Sequence, residues 1–168
     1  TENGWKHYDS ILLSSMVNDI EYELTQYGKE IWVATDSGLT VAAYNDVDGV
    51  TGSTTYIPGN SGLTGSRIAA VEVDDDHNRW IATDSALAIF RGNQWDSITA
   101  ATDANGDEFN FSDFKISDIG IMDARDWALI STYGKGIVRM SFDPVDGFTG
   151  ASTYGSPWSS INTDSITA

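Results

Sequence analysis

Apolar and polar residues alternate along this chain in short segments of four to eight residues. The segments are rich in Val, Ile, Thr, Tyr and Trp, which favour strands, and the gaps between them hold Gly, Asp, Asn and Ser, which favour turns. No long window keeps the 3.6-residue period of an amphipathic helix between capping residues. The pattern therefore predicts an all-β protein built from short strands.

The same arrangement of segments occurs three times. Trp32, Trp80 and Trp127 are 48 and 47 residues apart, and they open the segments WVAT, WIAT and WALIST. Each segment is followed by a polar or glycine-containing turn (DSG, DSA, YGKG) and by a further apolar segment. Matched segments lie upstream (MVNDIEYE, RIAAVEVD, KISDIGIMD) and downstream (STTYI, QWDSIT, ASTY). Because position 86 is Ala where position 38 is Gly, we expect these two turns to differ.

Each repeat reads as four strands, and repeated four-stranded antiparallel units of about 40–50 residues are typical of β-propeller blades. A sandwich of short strands is the alternative all-β fold, but it does not explain a recurring Trp. We expect one indole per sheet, packed against the neighbouring sheet. The prediction treats residues 1–168 as a single propeller segment, whose parts are three full blades at 16–57, 67–99 and 114–154 and partial strands at 5–9 and 160–167.

Propellers typically need at least four blades. Three blades therefore imply further blades as partners, in a longer chain of which this one is a piece, or in another copy or another chain that completes the ring. An incorrect strand count is the remaining explanation.

These segments resemble the two-component regulator propeller repeats. The pattern of that family is "lWiaT", then "sGL", then an aromatic residue near the end of the third strand and a Trp on the fourth. Residues 78–95 (NRWIATDSALAIFRGNQW) match best, residues 29–44 (KEIWVATDSGLTVAAY) match nearly as well, and residues 126–142 (DWALISTYGKGIVRMSF) depart from the pattern. The resemblance implies a periplasmic, extracellular or cell-surface propeller. In that family such propellers most often form the glycan- or nutrient-sensing part of hybrid histidine kinases, and others serve in surface or secretion assemblies.

The charge of the chain excludes two classes of partner. It has 25 Asp and Glu against 9 Lys and Arg, a net charge of −16. This field repels phosphate backbones and anionic lipid, so we expect no nucleic-acid binding and no docking on membranes. No apolar run reaches the ~18 residues that span a bilayer. An acidic surface suits solubility, cations and neutral ligands such as glycans.

The absence of Cys excludes disulfides and thiolate chemistry, and two His residues, His7 and His77, make a His-rich zinc site improbable. Catalysis finds little support. No G-x-S-x-G, P-loop or dinucleotide motif is present, and no carboxylate pair stands out among 25 acids. A propeller lyase or hydrolase is the least favoured alternative.

In a propeller, the loops before the first strand and after the second strand of each blade share one face, where ligands usually bind. Here they are residues 10–15, 58–66, 99–113 and 155–160 and the three turns that follow the Trp-containing segments. These loops hold side chains that could bind or stack on a ligand, and the alternative is that their aromatics cover the blade ends. The candidate ligand-binding residues are Asp36, Ser37, Asn60, Asp84, Ser85, Phe109, Phe111, Tyr133 and Trp158.

The segment DANGDEFNFSD (103–113) is the strongest local motif for a metal. Asp103, Asn105 and Asp107 stand at positions 1, 3 and 5 of a calcium-loop pattern. Glu108 replaces the usual Gly at position 6, and Asp113 falls one place before the closing ligand at position 12. Calcium is therefore the one cofactor that the sequence suggests, and an acidic surface turn is the alternative.

Taken together, the residues predict a non-catalytic binding propeller that senses a glycan or another small molecule. The alternative is a propeller that holds a protein partner in a surface or secretion assembly.

Overall fold

The computed structural model describes residues 6–102, 108–113, 115–122, 124, 126–134, 136–143 and 147–154, with side chains omitted at 109, 143 and 147–154. These residues form three four-stranded antiparallel sheets, one two-stranded hairpin and two 3-10 turns. None of the described residues belongs to a helix long and apolar enough to cross a membrane.

We name the sheets blades 1, 2 and 3, and in each blade the strands pair in chain order. Blade 1 contains β1 (Val17–Thr25), β2 (Gly28–Thr35), β3 (Gly38–Asn45) and β4 (Gly49–Tyr56). Blade 2 contains β5 (Ile68–Val73), β6 (Arg79–Thr83), β7 (Leu87–Arg91) and β8 (Gln94–Ile98). The hairpin is β9 (Ala100–Thr102) and β10 (Glu108–Asn110), and blade 3 contains β11 (Ile116–Met122), β12 (Trp127–Thr132), β13 (Gly136–Asp143) and β14 (Gly147–Tyr154). The 3-10 turns are Asp9–Ile11 and Phe111–Asp113.

The blades contact one another through their first strands. Strand β5 packs against β1 and β2 of blade 1, and β11 packs against β5 and β6 of blade 2. Sheets that pack face to face in succession and lie closest at their first strands are arranged radially, as in a propeller. The predicted all-β fold of four-stranded antiparallel blades is confirmed.

Among the described residues, the core consists of two apolar layers, one between blades 1 and 2 and one between blades 2 and 3. Trp32 of blade 1 packs with Ile68, Val71 and Ile81 of blade 2. Trp80 of blade 2 packs in turn with residues of blade 3 that include Ile119, Ile130 and Val138. Both indoles are buried, and the burial of each contributes about 2–3 kcal/mol to folding. The repeated four-stranded sheets therefore stack on one another, because each blade can bury its apolar faces only against neighbouring blades.

The strand registers correct one part of the repeat. Trp32 and Trp80 each lie three residues before the threonine that bonds across the next turn, Thr35 or Thr83. In blade 3 the corresponding threonine is Thr132, so the equivalent residue is Leu129 and Trp127 lies two residues earlier. Each indole is on its own sheet, but the expectation that the three recur at equivalent positions is wrong for Trp127. The smaller Leu129 fills the position instead.

Two segments differ from the predicted ones. Residues 6–8 form no strand and Asp9–Ile11 is a 3-10 turn; Lys6 contacts blade 1 through its side chain, which donates to the Asp48 backbone oxygen at 3.5 Å. The predicted strand 160–167 lies outside the described residues. Residues 99–113, predicted as a loop, contain the hairpin β9–β10, and Ala101 and Phe111 pack into the core.

Candidate functional site

The predicted ligand face is the end of the sheets that carries the β2–β3 and β6–β7 turns and the connection from β4 to β5. We refer to it as the loop end. Arg67, the residue before β5, lies between two aspartates from equivalent turns of adjacent blades. Its Nε is 3.3 Å from an Asp36 carboxylate oxygen, and its Nη1 is 3.5 Å from an Asp84 carboxylate oxygen. Asn18 donates its side-chain N–H to Asp36 (2.9 Å) and to the backbone oxygen of Ile68 (2.7 Å).

The loop end therefore contains a polar cluster that spans blades 1 and 2. The sequence prediction included Asp36 and Asp84 but missed Arg67 and Asn18. Ser85 also faces the neighbouring loop, with its hydroxyl 3.4 Å from that of Thr64. Ser37 is exposed, and its N–H donates to Thr35 Oγ1. A basic residue directly before a first strand was the signal that could have identified Arg67.

The structure places the other predicted ligand residues in different surroundings. Asn60 is exposed, but its side chain shapes its own loop by accepting from the Ile57 N–H and donating to the Thr55 oxygen. Tyr133 is exposed on the β12–β13 turn. Phe111 is fully buried in the layer between blades 2 and 3, so it is not available to stack on a ligand. A short 3-10 turn directs this apolar residue inward, and its assignment to the ligand surface is corrected.

Most of the predicted calcium motif lies outside the part of the chain that the structure describes. Asp103, Asn105, Asp107 and Trp158 lie outside the described residues, as does the side chain of Phe109. Asp113 is exposed at the end of the second 3-10 turn. Within the part of the chain that is described, no three His, Asp or Glu side chains are grouped to hold a metal ion.

A concave feature, which we refer to as the interblade cleft, lies between blades 1 and 2 and extends to the hairpin tips at the end opposite the loop end. It has a volume of about 730 Å³. Its wall combines aromatic side chains with charged ones and with the tips of three hairpins. The lining residues are Glu23, Thr25, Gln26, Tyr27, Glu30, Trp32, Val41, Thr54, Tyr56, His77, Arg79, Phe90, Gly92 and Asn93.

A buried carboxylate joins the two blades in the cleft. Glu23 of β1 is 3% exposed and accepts two hydrogen bonds from Arg79 of β6, at 2.8 and 2.6 Å. His77 Nδ1 lies 3.0 Å from the same carboxylate. The backbone of His77 has a φ of 61°, a left-handed conformation that is uncommon for a residue with a side chain. Removing one partner of such a pair leaves an uncompensated buried charge, so the loss of either side chain would destabilise the contact between the sheets.

Blades 1 and 2 use equivalent carboxylates differently. Asp74 of blade 2 accepts the indole N–H of Trp80 in its own sheet, at 2.9 Å. Glu23 holds the equivalent position in blade 1, but it binds blade 2, and Trp32 Nε1 is buried with no hydrogen-bond partner. The sequence offered one signal for this site: Asp19, Glu21 and Glu23 alternate along β1, which places three carboxylates on the face toward blade 2.

Several solved structures are similar to this chain, and they include the following three. The extracellular domain of BT4673 from B. thetaiotaomicron has been solved twice, as that of a one-component system and as that of a hybrid two-component system. Both superpose with a TM-score of 0.61 at 13% identity, over 83% and 84% of this chain and 17% of theirs. PorZ, a surface component of the type-IX secretion system of Porphyromonas gingivalis, superposes with a TM-score of 0.55 at 12% identity.

The PorZ superposition covers 80% of this chain and 21% of PorZ, so the chain spans about a fifth or less of these proteins. At these identities the likeness establishes the fold. No protein-family model and no curated protein matches the sequence.

Proposed function

We propose that this chain is part of an extracytoplasmic, non-catalytic β-propeller that recognises a glycan or another small molecule and serves as a sensing module. Two of the similar structures are extracellular domains of a one-component or hybrid two-component system, and the third is a surface component of a secretion system. The resemblance of residues 29–44 and 78–95 to two-component regulator propeller repeats supports the same reading. The propeller would lie in the periplasm or at the cell surface.

The polar cluster at the loop end is the observation that carries this proposal. Asp36 and Asp84 come from equivalent turns, and Arg67 lies between them with all three side chains partly open to solvent. Planar guanidinium and carboxylate groups present several donors and acceptors in fixed directions, which suits the hydroxyl groups of a neutral ligand. The sheets beneath hold these groups rigidly, as expected for a recognition surface built on loops.

A melting screen with neutral oligosaccharides tests this proposal. A ligand at 100 times its Kd stabilises the folded chain by about 2.7 kcal/mol, which raises Tm by several degrees. We expect that rise to disappear in Asp84→Ala and to persist in Asp46→Ala, which removes an exposed carboxylate at the opposite end of blade 1. A rise that is equal in both variants would place the ligand elsewhere, and turnover of the bound oligosaccharide would contradict the non-catalytic role.

A second candidate function is assembly with another blade or a partner protein, and one comparison favours it. Ile20 of blade 1 is 59% exposed, whereas the equivalent Val71 and Ile119 of blades 2 and 3 are 1% and 2% exposed. Each of the latter is covered by the preceding blade. The face of blade 1 that carries Ile20 is thus an exposed surface on which a further sheet could pack. That sheet would come from a longer chain, another copy or another protein.

A further inference from the structure

We propose that the interblade cleft binds an organic guanidinium cation, held between the Glu30 carboxylate and the aromatic wall that Tyr56 and Phe90 form. The cleft is lined by none of the three residues Asp36, Arg67 and Asp84 that form the polar cluster. The proposal is therefore independent of ligand recognition at the loop end.

The aromatic wall is continuous across the two blades. The Phe90 ring of blade 2 has its centroid 5.8 Å from that of Tyr56 and 6.2 Å from that of Trp32, both of blade 1. Trp95 stacks behind Phe90 at 4.6 Å. Aromatic faces carry a negative quadrupole that attracts a cation placed over them, and such contacts strengthen as water is excluded. A cleft walled in this way favours a flat cation over an anion.

The charges in the cleft do not balance. Glu23 accepts both of the hydrogen bonds that Arg79 makes at 2.8 and 2.6 Å, so this pair neutralises itself. Glu30 lies 3.9 Å from the same guanidinium and makes no hydrogen bond to it. With its side chain about a third exposed, Glu30 is the carboxylate left to meet an incoming cation. The net charge of −16 attracts cations to the protein and repels anionic ligands.

Arg79 already shows this mode of recognition inside the cleft. Its guanidinium carbon lies 5.1 Å from the centroid of the Trp32 ring, while its nitrogens bond a carboxylate. A ligand guanidinium between Glu30 and the Tyr56–Phe90 wall would make the same two kinds of contact, one to a carboxylate and one to an aromatic ring. A guanidinium suits such a place better than an ammonium, because it is planar, weakly hydrated and able to stack.

Capped arginine (acetyl-arginine-amide) and capped citrulline, which has nearly the same shape but no charge, are the matched probes. We expect titration calorimetry at low salt and pH 8, where a histidine carries little charge, to show about tenfold tighter binding of capped arginine. We also expect capped arginine to shift the indole N–H resonance of Trp32, identified by its loss in Trp32→Phe. Equal affinity for the two probes would overturn the proposal.

Two variants that each remove one negative charge distinguish binding at the cleft from attraction by the net charge of the protein. Glu30→Gln should abolish the preference for capped arginine, whereas Asp46→Asn, which removes one exposed charge outside the cleft, should retain it. Tyr56→Leu, checked for folding by its melting curve, should weaken capped arginine severalfold. An unchanged preference in Glu30→Gln would overturn the proposal, and so would equal losses in Glu30→Gln and Asp46→Asn.

The source of the guanidinium is distinguished by a longer probe. Tighter binding of capped Ala-Arg-Ala than of capped arginine would support a protein side chain as the ligand, and weaker binding would support a free small molecule. Asp84→Ala, which tests the loop end, should leave both affinities unchanged. Failure at the cleft and failure at the loop end are therefore separate results.

Discussion

At the residue scale, one hydrogen bond defines the turn after the second strand in all three blades. The hydroxyl of Thr35 donates to the Gly38 oxygen at 2.7 Å, and Thr83 and Thr132 make the same bond at 3.1 and 2.8 Å. The motifs WVAT, WIAT and LIST encode this threonine directly. The residue that accepts the bond varies between blades, and the backbone varies with it: Gly38 has a φ of 144°, whereas Ala86 has no positive φ. The expected difference between these two turns is confirmed.

Gly38 cannot be replaced without cost. A Cβ there would lie 2.5 Å from Leu13 Cδ1 and 2.7 Å from the Tyr56 oxygen, and the φ of 144° disfavours any side chain. We expect Gly38→Ala to lower the free energy of unfolding by about 2–3 kcal/mol in urea denaturation. Gly52→Ala is the matched control, because its Cβ would meet nothing within 4 Å and its φ is not positive. A loss in Gly38→Ala no larger than that of the control would contradict this account of the turn.

Glu21 gives stability a pH dependence of known sign. Burial raises the pKa of Glu21, and the charges of Asp19 and Glu23 raise it further. Because the folded chain then holds this proton more tightly than the unfolded chain, stability falls as pH rises from the usual glutamate pKa through the raised one. We expect Glu21→Gln to have a higher Tm than the wild type at pH 7 and no such advantage below about pH 4.

This prediction is tested by measuring Tm as a function of pH for the wild type, Glu21→Gln and a control variant, Glu108→Gln. Glu108→Gln on β10 is the control, since Glu108 is exposed and we expect its replacement to change Tm little at any pH. An advantage of Glu21→Gln that is constant across the pH range would show that charge is not its cause.

At the scale of elements, the β5–β6 hairpin is organised by one buried aspartate. Asp74 accepts hydrogen bonds from the N–H groups of Asp76 and Asn78, from the Asn78 side chain and from the Trp80 indole, at 2.7–3.1 Å. Blade 3 has Met122 and Leu129 at the positions of Asp74 and Trp80, so the acceptor and the donor are absent together. Blade 2 thus pairs a hydrogen-bond acceptor, Asp74, with a donor, Trp80, whereas blade 3 pairs two apolar residues, Met122 and Leu129.

Replacing Asp74 should therefore be costly. We expect Asp74→Ala to lower the free energy of unfolding by about 2–4 kcal/mol, because it leaves several buried donors without an acceptor. Asp76→Ala, in the same hairpin, should cost less than about 0.5 kcal/mol. Denaturation curves of the two variants provide the comparison, and similar costs would indicate that the indole bond contributes little.

Local pattern was sufficient to predict the strands of the three blades and the blade class, because alternation, Gly and Asp act on neighbours in the chain. Contacts between blades could not be read in the same way. The partner of Glu23 is Arg79, 56 residues away, and nothing in either hairpin alone indicates it. The alignment of Trp127 with Trp32 failed for a related reason, since register depends on pairing across three strands. Only the structure shows that Leu129 takes the shared position.

At the scale of the molecule, equivalent residues have very different exposures according to whether another of the described blades packs against them. Ile137 of blade 3 is 46% exposed, whereas Leu39 and Leu87 at the same position of blades 1 and 2 are fully buried. Asp118 of blade 3 is equivalent to Asp19 of blade 1, which contacts blade 2. It caps the Ile119 N–H as Asp19 caps that of Ile20, and Asp19 also accepts the Val71 N–H of the next blade, at 2.9 Å. Blade 3 thus presents the face that blade 1 uses to hold blade 2.

This comparison predicts how charge will be tolerated on the two kinds of face. We expect Ile137→Asp to change the free energy of unfolding by less than about 1 kcal/mol, because its side chain keeps contact with water, whereas Leu87→Asp should cost more than about 4 kcal/mol. We also expect sedimentation velocity to show weaker self-association of Ile137→Asp than of the wild type at high concentration, because a bare apolar sheet face attracts another. Equal destabilisation by the two substitutions would mean that blade 3 is already covered, and it would remove the case for a further sheet on that side.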